Sequence, residues 1–163
     1  MQYVMQEKWL CLGEDFSIKD REGRELYYID GRALSLGKKL SFQNTERREI
    51  AFIRQRLLSW GPNYEILRDD HILATVKKKL LTLFHCKFSV DLAGPNDLEA
   101  KGNFLDHEYQ LLKGDTMIAQ ITKKWIAWTD SYVIDVEPEQ DDVLVLACAV
   151  VIDLACHEEK NNQ

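Results

Sequence analysis

Val143-Leu-Val-Leu-Ala-Cys-Ala-Val-Val-Ile152 carries no polar face. An element that is apolar all round must be buried on every side. The rest of the chain therefore has to enclose it. As a helix, Val143 to Cys156 spans roughly 21 Å at ~1.5 Å per residue. A bilayer core needs ~30 Å or about 20 apolar residues, and Asp153 interrupts the run, so it reads as a buried core helix over Asp142 to Cys156. Acidic Glu139, Asp141 and Asp142 precede it, and His157 and Lys160 follow it. Both suit the helix dipole. The β-branched Val143, Val145, Val150, Val151 and Ile152 argue for a strand. Length and the interspersed alanines favour the helix.

Upstream, the chain repeats itself. Tyr64-EILRDDHILATVKK-Lys79 and Tyr109-QLLKGDTMIAQITK-Lys124 align without a gap. Looser copies run from Phe16 to Gly31 and from Phe88 to Phe104. Each copy has apolar residues alternating on two arms around a polar turn, the pattern of a β-hairpin. Glu49 to Trp60 is ambiguous, because Ile50, Ile53 and Leu57 also fit a helical stripe. Its hairpin neighbours favour a strand, closed by the turn Gly61-Pro62-Asn63. The whole pattern yields about twelve strands. An eight-stranded barrel is filled by its own side chains, whereas about eleven strands leave room for a central helix. The expected fold is mainly β: a closed twelve-stranded barrel around the apolar C-terminal helix. One domain covers 1–157, with a flexible tail over 158–163, and no linker divides the chain.

Composition narrows the role. A net charge of −6 disfavours a nucleic-acid surface, which wants a basic balance. Met1 to Phe16 has no basic region followed by an apolar one, the mark of a secretory leader. Cys11, Cys86, Cys148 and Cys156 form no C-x-x-C pair. Four reduced thiols and a cytoplasmic location, peripheral to a membrane if lipid is bound, are the expectation.

The order F-S-I-x-D-x-x-G-x-x-L-Y-Y-I-D-G-R-A-L-S-L-G-x-K-L-S-F from Phe16, then Y-E-I-L-R-D, D-H-E-Y-Q-L and I-T-K-K-W-x-x-W-T-D-S-Y-x-I-D-V, resembles the LURP-one-related family. The resemblance runs from Tyr3 to His157. It implies the tubby C-terminal-like fold, shared with tubby domains and phospholipid scramblases: twelve strands around a C-terminal helix. It implies little about activity. Tubby domains bind phosphoinositide headgroups through basic residues. Scramblases carry a proposed calcium-binding segment before the last helix. The turns at Asn44–Arg48 and Asp69–His71 lack the glycine often found there.

Four groups of residues are candidates for function. Lys77, Lys78 and Lys79 occupy places equivalent to Lys123 and Lys124 in the two best repeats. Gathered at one rim, Lys77, Lys79, Lys123 and Lys124 would hold an anionic lipid headgroup, because ammonium groups pair well with phosphate oxygens. Lysines at strand ends also serve simply to solvate an edge. Asp130, Asp135, Glu137, Glu139, Asp141 and Asp142 are dense enough for calcium, but lack the EF-hand spacing and also suit a helix N-terminus. His85-Cys86 and Cys156-His157 are sequence neighbours, which on a strand face opposite sides. Trp125, Trp128 and Tyr132 suit a membrane interface or, more simply, the core.

No nucleophile elbow, zinc-binding H-E-x-x-H, phosphate loop or dinucleotide fingerprint is present. The sequence thus favours a non-enzymatic binding module, with no catalytic residue, metal or cofactor assigned and anionic lipid headgroups as the ligand class. The alternatives are a lipocalin-like carrier of a small molecule, which needs the helix outside the barrel, and an unrecognised hydrolase.

Overall fold

A computed structural model describes residues 1–7, 15–31, 36–79, 85–94, 97–103, 108–126 and 129–161. Its strands are β1 (Gln2–Glu7), β2 (Phe16–Lys19), β3 (Glu25–Gly31), β4 (Lys39–Asn44), β5 (Glu49–Gln55) and β6 (Asn63–Arg68). They continue as β7 (His71–Lys79), β8 (His85–Leu92), β9 (Leu98–Asn103), β10 (Glu108–Lys113), β11 (Thr116–Ile126) and β12 (Thr129–Val136). The chain ends in α1 (Asp142–Asn161). Each strand pairs antiparallel with the next, and β1 pairs with β12 to close the barrel. The four repeats are the hairpins β2–β3, β6–β7, β8–β9 and β10–β11.

The period-2 pattern points one face of each strand inward. Tyr3, Met5, Phe16, Ile18, Phe42 and Ile53 are among the side chains sealed inside. On α1, every residue from Leu144 to Cys156 is buried. The helix is therefore the barrel's core, and burial overrides the modest strand preference of its β-branched residues. It continues past the expected end at Cys156 to Asn161. Gly102 makes room for this packing. It lies opposite Tyr109, and a Cβ there would sit 2.0 Å from that ring. The ring fills the lumen, and its hydroxyl lies 3.3 Å from Cys156 Sγ.

Polar contacts fix the helix start. Asp141 Oδ1 accepts the Leu144 amide at 3.1 Å, as a helix cap does. Arg68, at the end of β6, grips both Asp141 oxygens at 2.8 and 2.9 Å. Tyr3 on β1 donates to Asp142 at 2.5 Å. Burial and the Asp142 carboxylate push the Tyr3 hydroxyl well above the usual phenol range.

The Glu49–Trp60 segment is a strand only to Gln55. Ile53 is buried there, while Leu57 and Trp60 lie beyond the sheet and are exposed. The glycine-free turns are closed by other means. Asp69 and Asp70 both adopt left-handed backbone, at φ 51° and 62°, the pair of positions a tight hairpin turn demands. Aspartate tolerates that region better than most residues. Arg47, at φ 61°, lies over the Tyr28 ring at 3.6 Å. The Asn44 side chain accepts the Glu46 and Arg48 amides, each at 3.0 Å.

The Arg68–Asp141 clamp has a pH signature. Burial alone would raise the Asp141 carboxyl, but the Arg68 hydrogen bond, the Leu144 amide and the guanidinium charge lower it below 3.8. A depressed acid stabilises the fold fully above its unfolded pKa and ceases to as pH falls through the folded value. Arg68→Gln should therefore lower the melting temperature at neutral pH. The gap from the parent should close as pH falls through the depressed folded value, below which both proteins hold Asp141 protonated. Melting curves from neutral to acid pH check this.

Candidate functional site

Antiparallel pairing gives the barrel two different ends. Helix α1 enters where the even-numbered strands finish and leaves where the odd-numbered strands finish. Lys77–Lys79 close β7, and Lys123 and Lys124 lie near the end of β11, so both runs belong to the exit end. Four strand spacings of ~4.8 Å, or roughly 19 Å of wall, separate them.

Within each run the side chains alternate. Lys77 and Lys79 are exposed on the outer wall, whereas Lys78 between them is buried and points inward, its amine 5.9 Å from the Phe88 ring. On β11, Lys124 is exposed and Lys123 is only 6% exposed, with its amine 5.3 Å from the Tyr132 ring. The structure thus splits the four expected lysines. Lys77 and Lys79 share a face, Lys124 stands apart on the outside, and Lys123 lies within the wall.

The neighbours of Lys79 are lysines from other strands. Lys79 lies directly opposite Lys87 on β8, and Lys87 directly opposite Lys101 on β9. Like charges placed this way destabilise a sheet. Glu99 is set diagonally among them: it contacts Lys101 at 2.9 Å, Lys79 at 3.9 Å and Lys87 more closely still. Hydrogen bonds from Lys87 and Lys101 hold the Glu99 carboxyl below its usual range. Three ammonium groups thus share one carboxylate, leaving two positive charges in excess on the outer wall. Lys77 is neutralised locally by Asp91 at 2.7 Å.

A second polar group lies inside the same end. Asp153, on α1, is only 3% exposed and accepts a hydrogen bond from the Tyr132 hydroxyl. Tyr132 thus belongs to the core, while the Trp125 side chain and Trp128 lie outside the described residues.

Three of the six acids before the helix are committed to the fold, and the Asp130 side chain lies outside the described residues. Asp141 and Asp142 hold Arg68 and Tyr3, and Asp135 accepts from Gln2 at 2.7 Å. Among the described residues, no three His, Cys, Asp or Glu side chains are placed to hold a metal. Cys148 and Cys156 are buried free thiols. Burial, with the Asp141 charge, pushes the Cys148 thiol up to about 12. His71 is exposed, and its Nδ1 lies 2.7 Å from the Asp69 carbonyl. Cys11, His107 and the side chains of His85, Cys86 and His157 lie outside the described residues. No described helix is long and apolar enough to cross a membrane.

Comparison with known proteins agrees with this architecture. The LURP-one-related family model matches residues 1–153. The uncharacterised protein YxjI of Bacillus subtilis (strain 168) is 30% identical over 161 residues, covering 99% of this chain and 97% of its own. The X-ray structure of an Arabidopsis thaliana protein superposes with a TM-score of 0.69 at 19% identity, covering 93% of this chain and 90% of that one.

The buried Tyr132–Asp153 contact can be tested apart from any ligand. Hydrogen bonds to charged or buried acceptors contribute about 1.5–3 kcal/mol. Tyr132→Phe should cost stability of that order in denaturant unfolding, although the ring still packs. A change below about 0.5 kcal/mol would show that the contact contributes nothing.

Proposed function

The chain belongs to the LURP-one-related family, and from that premise we propose that it is a binding module for anionic phospholipid headgroups, carrying out no chemistry of its own. The observation that carries the reading is the cross-strand row Lys79–Lys87–Lys101, with its single carboxylate. Phosphate oxygens brought to this row would relieve the repulsion between the lysines. Each lysine near an anionic surface contributes ~1 kcal/mol, and salt weakens the attraction. The relation of this fold to tubby domains supports the same ligand class. Lys77 and Lys124 flank the row at the same end as secondary contacts, and Lys123 is left to the wall. The protein would act at the face of a membrane, held peripherally from the cytoplasmic side.

Two features weigh against the alternatives. A lipocalin-like carrier needs an open lumen, and here α1 occupies it, buried from Leu144 to Cys156. A nucleophilic thiol has to be accessible, and the two thiols among the described residues, Cys148 and Cys156, are both buried.

The test is sedimentation with phosphatidylcholine–phosphatidylserine vesicles at low salt. The parent should bind, and Lys79→Gln/Lys87→Gln/Lys101→Gln should bind about a hundredfold more weakly, at ~1 kcal/mol per lysine. Its melting temperature should be nearly unchanged, because the three side chains stand on the outer wall. Equal binding by parent and variant would refute the headgroup site.

A further inference from the structure

Large apolar side chains rarely stand free in water without a reason when they cluster. Four do so at the exit end: Leu36 (86% exposed), Leu57 (58%), Leu58 (102%) and Trp60 (100%). They belong to the β3–β4 and β5–β6 connections, neighbours on one rim. The β5–β6 loop is a built structure. Its base is closed by the Arg56 amide donating to the Asn63 carbonyl at 2.8 Å. Ser59 Oγ donates to the Gly61 carbonyl at 2.8 Å and lies 3.2 Å from that of Arg56. Gly37, at φ +74°, packs so closely that a Cβ there would meet Leu57 at 2.8 Å. The two connections therefore support each other, and their support turns Leu58 and Trp60 outward.

The same loop is tied to the lysines. Lys78 donates its amide to the Pro62 carbonyl at 3.1 Å, so Lys77 and Lys79 flank the loop's return into β6. The opposite end of the barrel carries acids in its turns, among them Asp20, Asp69, Asp70, Asp115, Glu137 and Glu139. A chain of net charge −6 thus presents a basic, apolar-tipped end and an acidic end. A tryptophan and a leucine at the tip of a convex loop, with cations beside them, match a bilayer interface: rings and aliphatic groups enter among the acyl chains and ammonium groups meet phosphates. A second copy docked through this rim would set one lysine row against another.

We infer that the Arg56–Pro62 loop, backed by Gly37, is a membrane-insertion loop that places Leu58 and Trp60 into the interfacial layer of an anionic bilayer, with the helix-exit end of the barrel facing the membrane. This inference deepens the headgroup reading and rests on it for orientation. The loop adds a component of binding that salt does not screen, while the lysine row supplies the screened one.

The experiment uses the full chain, its Leu58→Ser/Trp60→Ser variant and the triple lysine variant, with phosphatidylcholine–phosphatidylserine vesicles at low and high salt. The loop variant should bind roughly tenfold more weakly at low salt and lose its remaining binding at high salt. Its melting temperature should equal the parent's. Brominated acyl chains should quench part of the parent's tryptophan fluorescence, and Trp60→Phe should remove that part. If the loop variant binds like the parent while the lysine variant fails, the insertion loop is refuted and the headgroup site stands. If the lysine variant binds like the parent while the loop variant fails, the headgroup site is refuted and insertion stands. A parent that stays in solution at low salt refutes both. A parent that forms a dimer abolished by Leu58→Ser/Trp60→Ser, without quenching, refutes the insertion loop.

Discussion

Burial of one all-apolar helix inside a wall of strands is the constraint on which the rest depends. A barrel of this strand number is too wide to be filled by its own side chains. A helix with side chains, ~10 Å across, fills it. Neither part is stable in water alone, since the inner wall and the helix each expose a continuous apolar surface. Burying a single valine or leucine is worth roughly 1.5–3 kcal/mol, and the run from Val143 to Ile152 carries seven Val, Leu or Ile residues. Closure between β1 and β12 also leaves no open sheet edge.

A filled lumen moves any binding function outward, to the wall and the ends. The ends differ because the helix is polar in both senses. At its start, Asp141 and Asp142 are held by Arg68 and Tyr3. Towards its exit, the carboxylate of Asp153 is taken up by Tyr132. Outside, acidic turns crowd the entry end, while lysines and two apolar loop tips mark the other. All even-to-odd hairpin turns lie at the entry end, which gathers Asp20, Asp69, Asp70 and Asp115 together with Arg21, Arg24, Arg47 and Arg48.

Much of this was legible in the sequence, for definite reasons. The helix followed from an apolar run with no polar face, and the hairpins from repeats with alternating arms. The lysine row was hidden because Lys87 and Lys101 are single lysines outside the repeated basic runs, joined to Lys79 by the registers of β7, β8 and β9. The inward turn of Lys123 had a signal. It shares the parity of Ile121, and period-2 alternation puts both on the buried face. The same parity sets Lys78 beside Ala74 and Val76. Leu58 and Trp60 were obscured by extending a strand through Trp60. The bounding Gly61-Pro62 turn marks the end of the loop and says nothing of where the strand stops. Asp153 read as a break in an apolar run, and its place facing the Tyr132 hydroxyl comes from the fold.

The central claim is that α1 is the core of a closed barrel and moves only when the whole barrel opens. Native-state amide hydrogen exchange measures this residue by residue. Amides from Leu144 to Ile152 should be among the slowest in the protein. They should exchange with the free energy of global unfolding, together with those of β6, β7 and β12. Exchange of these helix amides by local opening, well before the strands, would contradict the account. It would show that the barrel stands without its helix.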